Sequence, residues 1–186
     1  MPKPVTVVSG IPRSGTSLMM NILQAAGLPI LSDGKREPDA SNPRGYFELD
    51  AVKRSRRDTG WLTAAPGGAV KIIHSLLDCL PDDYTYRVIL MRRPIAAVVA
   101  SQNRMLDLQG KHQPGLGDER LKAILLSQLE ESRKLLAAKP CFDWIEIDYP
   151  SLIDQPQPAL EALGDFLGLS LQIEKLIGCI DPTLQH

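Results

Sequence analysis

Val5-Thr-Val-Val-Ser-Gly10-Ile-Pro-Arg13-Ser-Gly15-Thr16-Ser17 decides the fold. The β-branched run over residues 5–9 suits a strand buried on both faces, in the middle of a parallel sheet. The Gly-x-x-x-x-Gly frame that follows has the spacing of a phosphate-binding loop leading into a helix. A helix N-terminus attracts phosphate or sulfate through its unsatisfied N–H donors and its dipole. Nucleoside-triphosphate loops place Lys and then Ser or Thr directly after the second glycine. Here Thr16 and Ser17 follow Gly15, and the cation comes earlier, as Arg13 inside the loop. Its planar, permanently charged fork matches a tetrahedral oxyanion. Arg13, Ser14, Gly15, Thr16 and Ser17 therefore read as a cradle for a phosphorylated or sulfated ligand, and against an ordinary Mg-nucleoside triphosphate.

Outward from the loop, helices alternate with short apolar runs. Residues 17–26 read as a helix that Gly27 ends, and residues 28–46 as an irregular loop long enough to carry function. Residues 48–57 read as helical, 69–73 as a second strand and 86–91 as a third. Helices are expected over 95–106 and 118–138, separated by a Gly/Pro-containing loop at 107–117. A fourth strand over 144–147 and helices over 158–167 and 171–179 complete the chain. This order implies an α/β fold, three layers α/β/α around a central parallel sheet, with right-handed crossovers. All 186 residues are expected to form a single domain. Ligands of such sheets sit beyond the C-terminal strand ends. The opening loop, the segment around His74, and Arg92-Arg93 all fall at that edge.

Arg92-Arg93 follows the third strand directly. A triphosphatase of this loop class usually holds its Mg²⁺ with an acid at such a position. Here the strand delivers two cations. Ser101 lies eight residues past Arg93 on the next helix, so charge and hydroxyl can grip one phosphate together. Two anion sites on one sheet edge suit a ligand with phosphates at both ends.

Bulk properties are those of a soluble globular chain: 44% apolar, 23% charged, formal net charge -1. No global basic field advertises nucleic acid or membrane. The cations at 53–57 read as solvated surface. Cys79, Cys141 and Cys179 are odd in number and widely spaced, which fits reduced thiols rather than a disulfide framework or a metal cluster. With no leader and no apolar run of spanning length, a cytoplasmic protein is the expectation.

Gly10-Ile-Pro-Arg-Ser-Gly-Thr-Ser17, Arg93 with Ser101 and Gln102, Gly45-Tyr-Phe-Glu48, and Asp148-Tyr-Pro-Ser-Leu-Ile with Phe166-Leu-Gly-Leu169 together resemble the PAPS-dependent sulfotransferases, in their bacterial branch. PAPS is 3′-phosphoadenosine-5′-phosphosulfate. The resemblance runs along nearly the whole chain in the family's order. It implies sulfuryl transfer to a hydroxyl or amine of a small-molecule or glycan acceptor, with 3′,5′-adenosine bisphosphate as product and no metal required. It implies that residues 13–17 cradle the 5′-phosphosulfate and that Arg93 and Ser101 hold the 3′-phosphate. Arg92 has the spacing to Pro94 seen in the eukaryotic cytosolic branch. Lys71 resembles the family lysine that approaches the transferring sulfate. The cytosolic branch's C-terminal Arg-Lys-Gly segment is absent, and Lys111, Arg120 or Lys122 could substitute for it.

Sulfuryl transfer also needs a group to take the acceptor's proton. Glu37 lies 24 residues after Arg13, in the region where the glycosaminoglycan and tyrosyl-protein branches keep a catalytic glutamate. Glu48 could come from the same loop. His74 follows Lys71 by three residues where the cytosolic branch has Lys-x-His, a shift that could turn the imidazole away. Two other readings remain: a P-loop kinase or NTPase, which the missing lysine opposes, and a phosphoadenosine-binding module without transfer.

Overall fold

Strand β1 (Val5–Gly10) is buried along its whole length, as a β-branched run between two helical layers should be. The computed structural model describes residues 3–39, 42, 45–108, 110 and 117–181. Around β1 lie β2 (Ile30–Leu31), β3 (Ala69–Lys71), β4 (Tyr86–Arg92) and β5 (Phe142–Asp148), all parallel, in the order β2-β3-β1-β4-β5. Period-two alternation divides the strands between two cores. Val7, Val88 and Leu90 face one layer with Val98, Val99, Leu125 and Leu129. These come from α2 (Ile95–Leu108) and α3 (Asp118–Ala138). Val8, Ile89 and Met91 face the other layer with Met19, Ile22, Leu152 and Leu163. Those belong to α1 (Thr16–Ala25), α4 (Tyr149–Asp154) and α5 (Pro156–Leu167), which α6 (Ile173–Ile177) follows. The architecture is the three-layer α/β/α sandwich expected from the alternation of elements.

Four differences from the sequence reading have physical causes. The helix expected over 48–57 is reduced to a 3-10 turn at Val52–Arg54. Its first residues are paired elsewhere: Glu48 O accepts from Asp33 N and Ser32 Oγ, and Asp50 N donates to Asp33 Oδ2. The second strand stops at Lys71, because a 3-10 turn begins at His74–Cys79. Ile30–Leu31 is too short for a periodic signal and is a strand only through its pairing with β3. Tyr149–Asp154 forms a helix of its own, because Asp148 caps it by accepting from Ser151 N and Ser151 Oγ.

Two glycines are required by the way the loop meets its surroundings. Gly10 has φ +149°, and a Cβ there would lie 2.5 Å from Ser14 Oγ and 2.8 Å from Met91 O. Gly15 has φ +99°, and a Cβ there would lie 2.2 Å from the Tyr149 ring, which closes over the loop from the β5–α4 junction. Gly15→Ala should lower unfolding free energy by about 2–4 kcal/mol, the sum of overpacking and left-handed strain. Urea titration measures this, and in a Tyr149→Ala background the same substitution should cost distinctly less.

Candidate functional site

The C-terminal ends of β3, β1, β4 and β5 open into one cavity of about 310 Å³. β3 and β4 both pair with β1, so they run about 10 Å apart, two strand spacings, with the loop of residues 10–15 leaving the strand between them. The cavity is lined from both sides of that loop. Lys71 closes it on the β3 side, and Arg93 and Tyr149 close it on the other.

At the β3 end the Lys71 ammonium donates to Ser17 Oγ and to Tyr46 O, both at 3.1 Å. Asn42 Nδ2 also donates to Ser17 Oγ, at 2.8 Å, and to Gly45 O at 2.7 Å. Ser17 thus accepts two bonds, and neither uses its own proton. Burial is the main reason that Lys71 titrates low, at about 8. Glu48 opposes the shift, and the charges of Arg36 and Arg13 reinforce it. Gly15 caps α1 with no side-chain bond, so the first-turn amides have no partner from a cap. Gly15, Thr16 and Ser17 line the cavity at this point.

At the β4 end Arg93 Nη1 donates to Arg13 O at 3.1 Å, and its guanidinium lies 4.9 Å from the Tyr149 ring centroid. Burial lowers the Arg93 pKa, Arg13 and Arg104 add to that, and Tyr149 opposes it. Arg13 has φ +74°, a left-handed backbone unusual for an arginine, and its Nε donates to the buried Ser101 Oγ at 3.0 Å. The two anion grips read from the sequence as separate therefore share a residue. Arg13 belongs to the loop, yet its side chain reaches the Ser101 end.

Over the front of the cavity the Arg36 guanidinium lies 3.3 Å from the Tyr46 ring centroid and donates to Glu48 Oε1 at 2.7 Å. Lys53 Nζ is 3.0 Å from Glu48 Oε2. Burial pushes the Glu48 carboxyl up, but hydrogen bonds from Lys53 and Arg36 outweigh it and hold the net pKa below the ordinary value. The Tyr46 hydroxyl donates to Asp39 at 2.7 Å. Arg36, Asn42, Tyr46 and Tyr149 were not singled out by the sequence reading. Tyr46 and Tyr149 lie inside segments quoted for the resemblance, and a residue immediately after a strand of a parallel sheet is a signal that could have found Tyr149.

Other expected residues fall elsewhere. Arg92, expected beside Arg93 at the ligand, does not line the cavity: it stands opposite Asp148 in the β4–β5 register and pairs with it at 2.9 Å. Glu37 is exposed and does not line the cavity. Ser14 is buried, and its hydroxyl has no partner among the described residues. His74 is buried outside the lining, with Nδ1 3.3 Å from Gly10 O and Nε2 3.0 Å from Gln128 Oε1. Lys122 pairs with Glu119 and Arg120 is exposed; neither lines the cavity. Lys111 lies outside the described residues. Among the described residues no helix is long and apolar enough to cross a membrane, and no cluster of three His, Cys, Asp or Glu could hold a metal ion. None of the three cysteines is in a disulfide.

Solved structures with this architecture include sulfotransferases. Sulfotransferase STF1 from Mycobacterium tuberculosis H37Rv aligns with a TM-score of 0.59 at 18% identity, over 96% of this chain and 71% of that one. The sulfotransferase domain of the Synechococcus PCC 7002 olefin synthase aligns at 0.58 and 17%, over 98% and 86%. The sulfotransferase domain of the curacin biosynthetic pathway aligns at 0.56 and 14%, over 96% and 78%. Retinol dehydratase, solved with androsterone and the inactive cofactor PAP, aligns at 0.55 and 17%, over 97% of this chain and 64% of that one. No family model and no curated protein matches the sequence. The fold of this chain is the sulfotransferase fold.

The buried lysine has a consequence for anion binding. Lys71 is a cation below its pKa of about 8 and loses that charge above it. Affinity for inorganic sulfate, whose charge is constant over pH 6–10, should therefore be highest below pH 8 and fall as pH rises through that value. Thermal-shift titrations across this range should show the fall in the native protein and a flat profile in Lys71→Met.

Proposed function

We propose that this chain is a PAPS-dependent sulfotransferase that moves a sulfuryl group to a hydroxyl or amine of a small-molecule or glycan acceptor. The observation that carries this reading is the pair of cationic ends, Lys71 with Ser17 and Arg93 with Arg13 and Ser101, on either side of one anion loop. When bound, PAPS supplies a sulfuryl group attached to a phosphate leaving group at one end of an adenosine and a second phosphate at the other. The cradle fits such a ligand: its glycines leave the backbone bare, and Arg13, Arg36, Lys71 and Arg93 face the cavity against Glu48 and Asp181.

Each residue then has a defined task. Arg93 holds the 3′-phosphate, with the Tyr149 ring keeping its guanidinium in place, while Ser101, buried outside the cavity lining, acts through the Arg13 side chain that it anchors. Loop residues 13–17 hold the 5′-phosphosulfate through backbone amides and the hydroxyls of Thr16 and Ser17. Arg13 bridges the two ends. Lys71, already bound to Ser17, meets the charge that develops around the transferring group. Of Glu37, Glu48 and His74, Glu48 alone lines the cavity. Its pairs with Arg36 and Lys53 keep it ionised and able to take the acceptor's proton, although they weaken it as a base.

Calorimetry with 3′,5′-adenosine bisphosphate tests the donor site. Arg13→Ala and Arg93→Ala should each weaken binding by about 1.5–3 kcal/mol, the value of a charge-assisted hydrogen bond. Mg-ATP turnover without any binding of the bisphosphate would establish a nucleotide kinase or NTPase instead. Once an acceptor is in hand, Glu48→Gln should lower turnover by about 10²–10⁴-fold while bisphosphate affinity stays within about twofold. A loss of affinity of the same size as the loss of turnover would assign Glu48 to binding.

A further inference from the structure

The last bond of the ladder between β1 and β3 runs from Ile72 N to Val8 O at 3.0 Å. In a continued parallel register the next carbonyl on that edge, Gly10 O, would accept from the backbone N–H of residue 74. The chain does not continue that way, because the 3-10 turn starts at His74. The side chain takes over where the backbone leaves: His74 Nδ1 lies 3.3 Å from Gly10 O. A carbonyl can only accept, so Nδ1 carries the proton. The other ring nitrogen, Nε2, lies 3.0 Å from Oε1 of the Gln128 side-chain amide on α3, and with the proton on Nδ1 the neutral ring accepts there from that amide's NH2, once the amide is turned over. His74 is 8% exposed, and this contact is buried.

Gly10 is the first residue of the anion loop and lines the cavity. Ser14 Oγ and Met91 O fill the space where a Cβ on Gly10 would stand, and His74 holds its carbonyl. The Gly10–Ile11 peptide plane is thereby fixed, and Ile11 O accepts from Ser14 N at 3.1 Å to close the turn that leads to Gly15. We infer that His74 and Gln128 form a positioning relay that sets the Gly10–Ile11 peptide and so aims the loop amides at the bound anion. His74 acts here as a surrogate for the missing ladder bond and takes no proton from the acceptor. As a claim about ligand affinity, the inference rests on the donor-site reading above; as a claim about loop geometry, it does not.

The side-chain amides of Asn and Gln separate the two ring nitrogens. Asn places its amide nitrogen near the position of Nδ1, and Gln reaches the position of Nε2. Calorimetry with 3′,5′-adenosine bisphosphate, thermal unfolding and backbone amide NMR spectra would be recorded for the native protein, His74→Asn, His74→Gln, His74→Leu and Gln128→Leu. His74→Asn should keep its affinity within about threefold, while His74→Gln and His74→Leu lose roughly tenfold or more, as expected for an unpaired buried carbonyl. Gln128→Leu should lose a smaller factor by freeing the ring. In the absence of ligand, the amide signals of residues 11–17 should move in the Gln and Leu variants and stay in place in the Asn variant. A histidine that only fills space would lower melting temperature in all three His74 variants without ordering them this way. Native-like affinity and loop spectra in folded His74→Leu overturn the inference. If that variant does not fold, equal behaviour of the Asn and Gln variants overturns it. If the native protein binds no bisphosphate, the donor-site reading fails, and the ligand-free spectra alone decide the relay.

Discussion

Among the described residues, four cations and two acids face one cavity, and that imbalance organises the site. Arg13, Arg36, Lys71 and Arg93 line it against Glu48 and Asp181. Like charges brought together in a partly desolvated space raise one another's energy. The strain is visible in the titration of Lys71 and Arg93, which burial depresses and neighbouring arginines depress further. The protein accommodates it with aromatic and polar partners: Tyr149 beside Arg93, Tyr46 beneath Arg36, Ser101 on Arg13, Ser17 on Lys71. A polyanion entering the cavity would relieve all four at once.

The sheet sets the scale of this arrangement. β1 brings the loop to the centre, and its two neighbours bring one cation each. The separation of the two ends is thus a property of strand spacing and not of flexible side chains. The loop itself is held from both sides. Tyr149 packs on Gly15, and His74 takes the carbonyl of Gly10. Glycine at both frame positions follows from those close approaches as much as from φ.

The segment between β2 and β3 covers the front of the cavity through a chain of charges. Lys35 meets Asp50, Asp50 meets Lys53, Lys53 meets Glu48, and Glu48 meets Arg36 on the Tyr46 ring. The outer pairs are solvent-exposed and screened, so their effect lies in orientation more than in stability. The inner pair decides the ionisation of Glu48. This network also explains why residues 48–57 do not coil into a helix, since their first backbone and side-chain groups are committed to residues 32–36.

Much of the framework was legible from local pattern alone. Alternating β-branched and amphipathic runs specify strands, helices and their order, because burial on both sheet faces leaves a period in the sequence. The glycine frame with Arg13, and Arg93, could be placed at one sheet edge, because each directly follows a strand. Side-chain direction was not legible. Arg92 and Arg93 are neighbours in sequence, but strand alternation sends one to Asp148 and the other to the cavity. Three candidates for a proton acceptor looked alike as residue types; tertiary packing leaves Glu37 in solvent, locks His74 between Gly10 and Gln128, and brings Glu48 to the cavity. The sequence by itself determined the layers and the cationic edge, which depend on periodicity and on residues close in the chain. Only the tertiary structure decided which charges converge, because that depends on strand register and on contacts between residues far apart in the chain, such as Arg13 and Ser101, 88 positions apart.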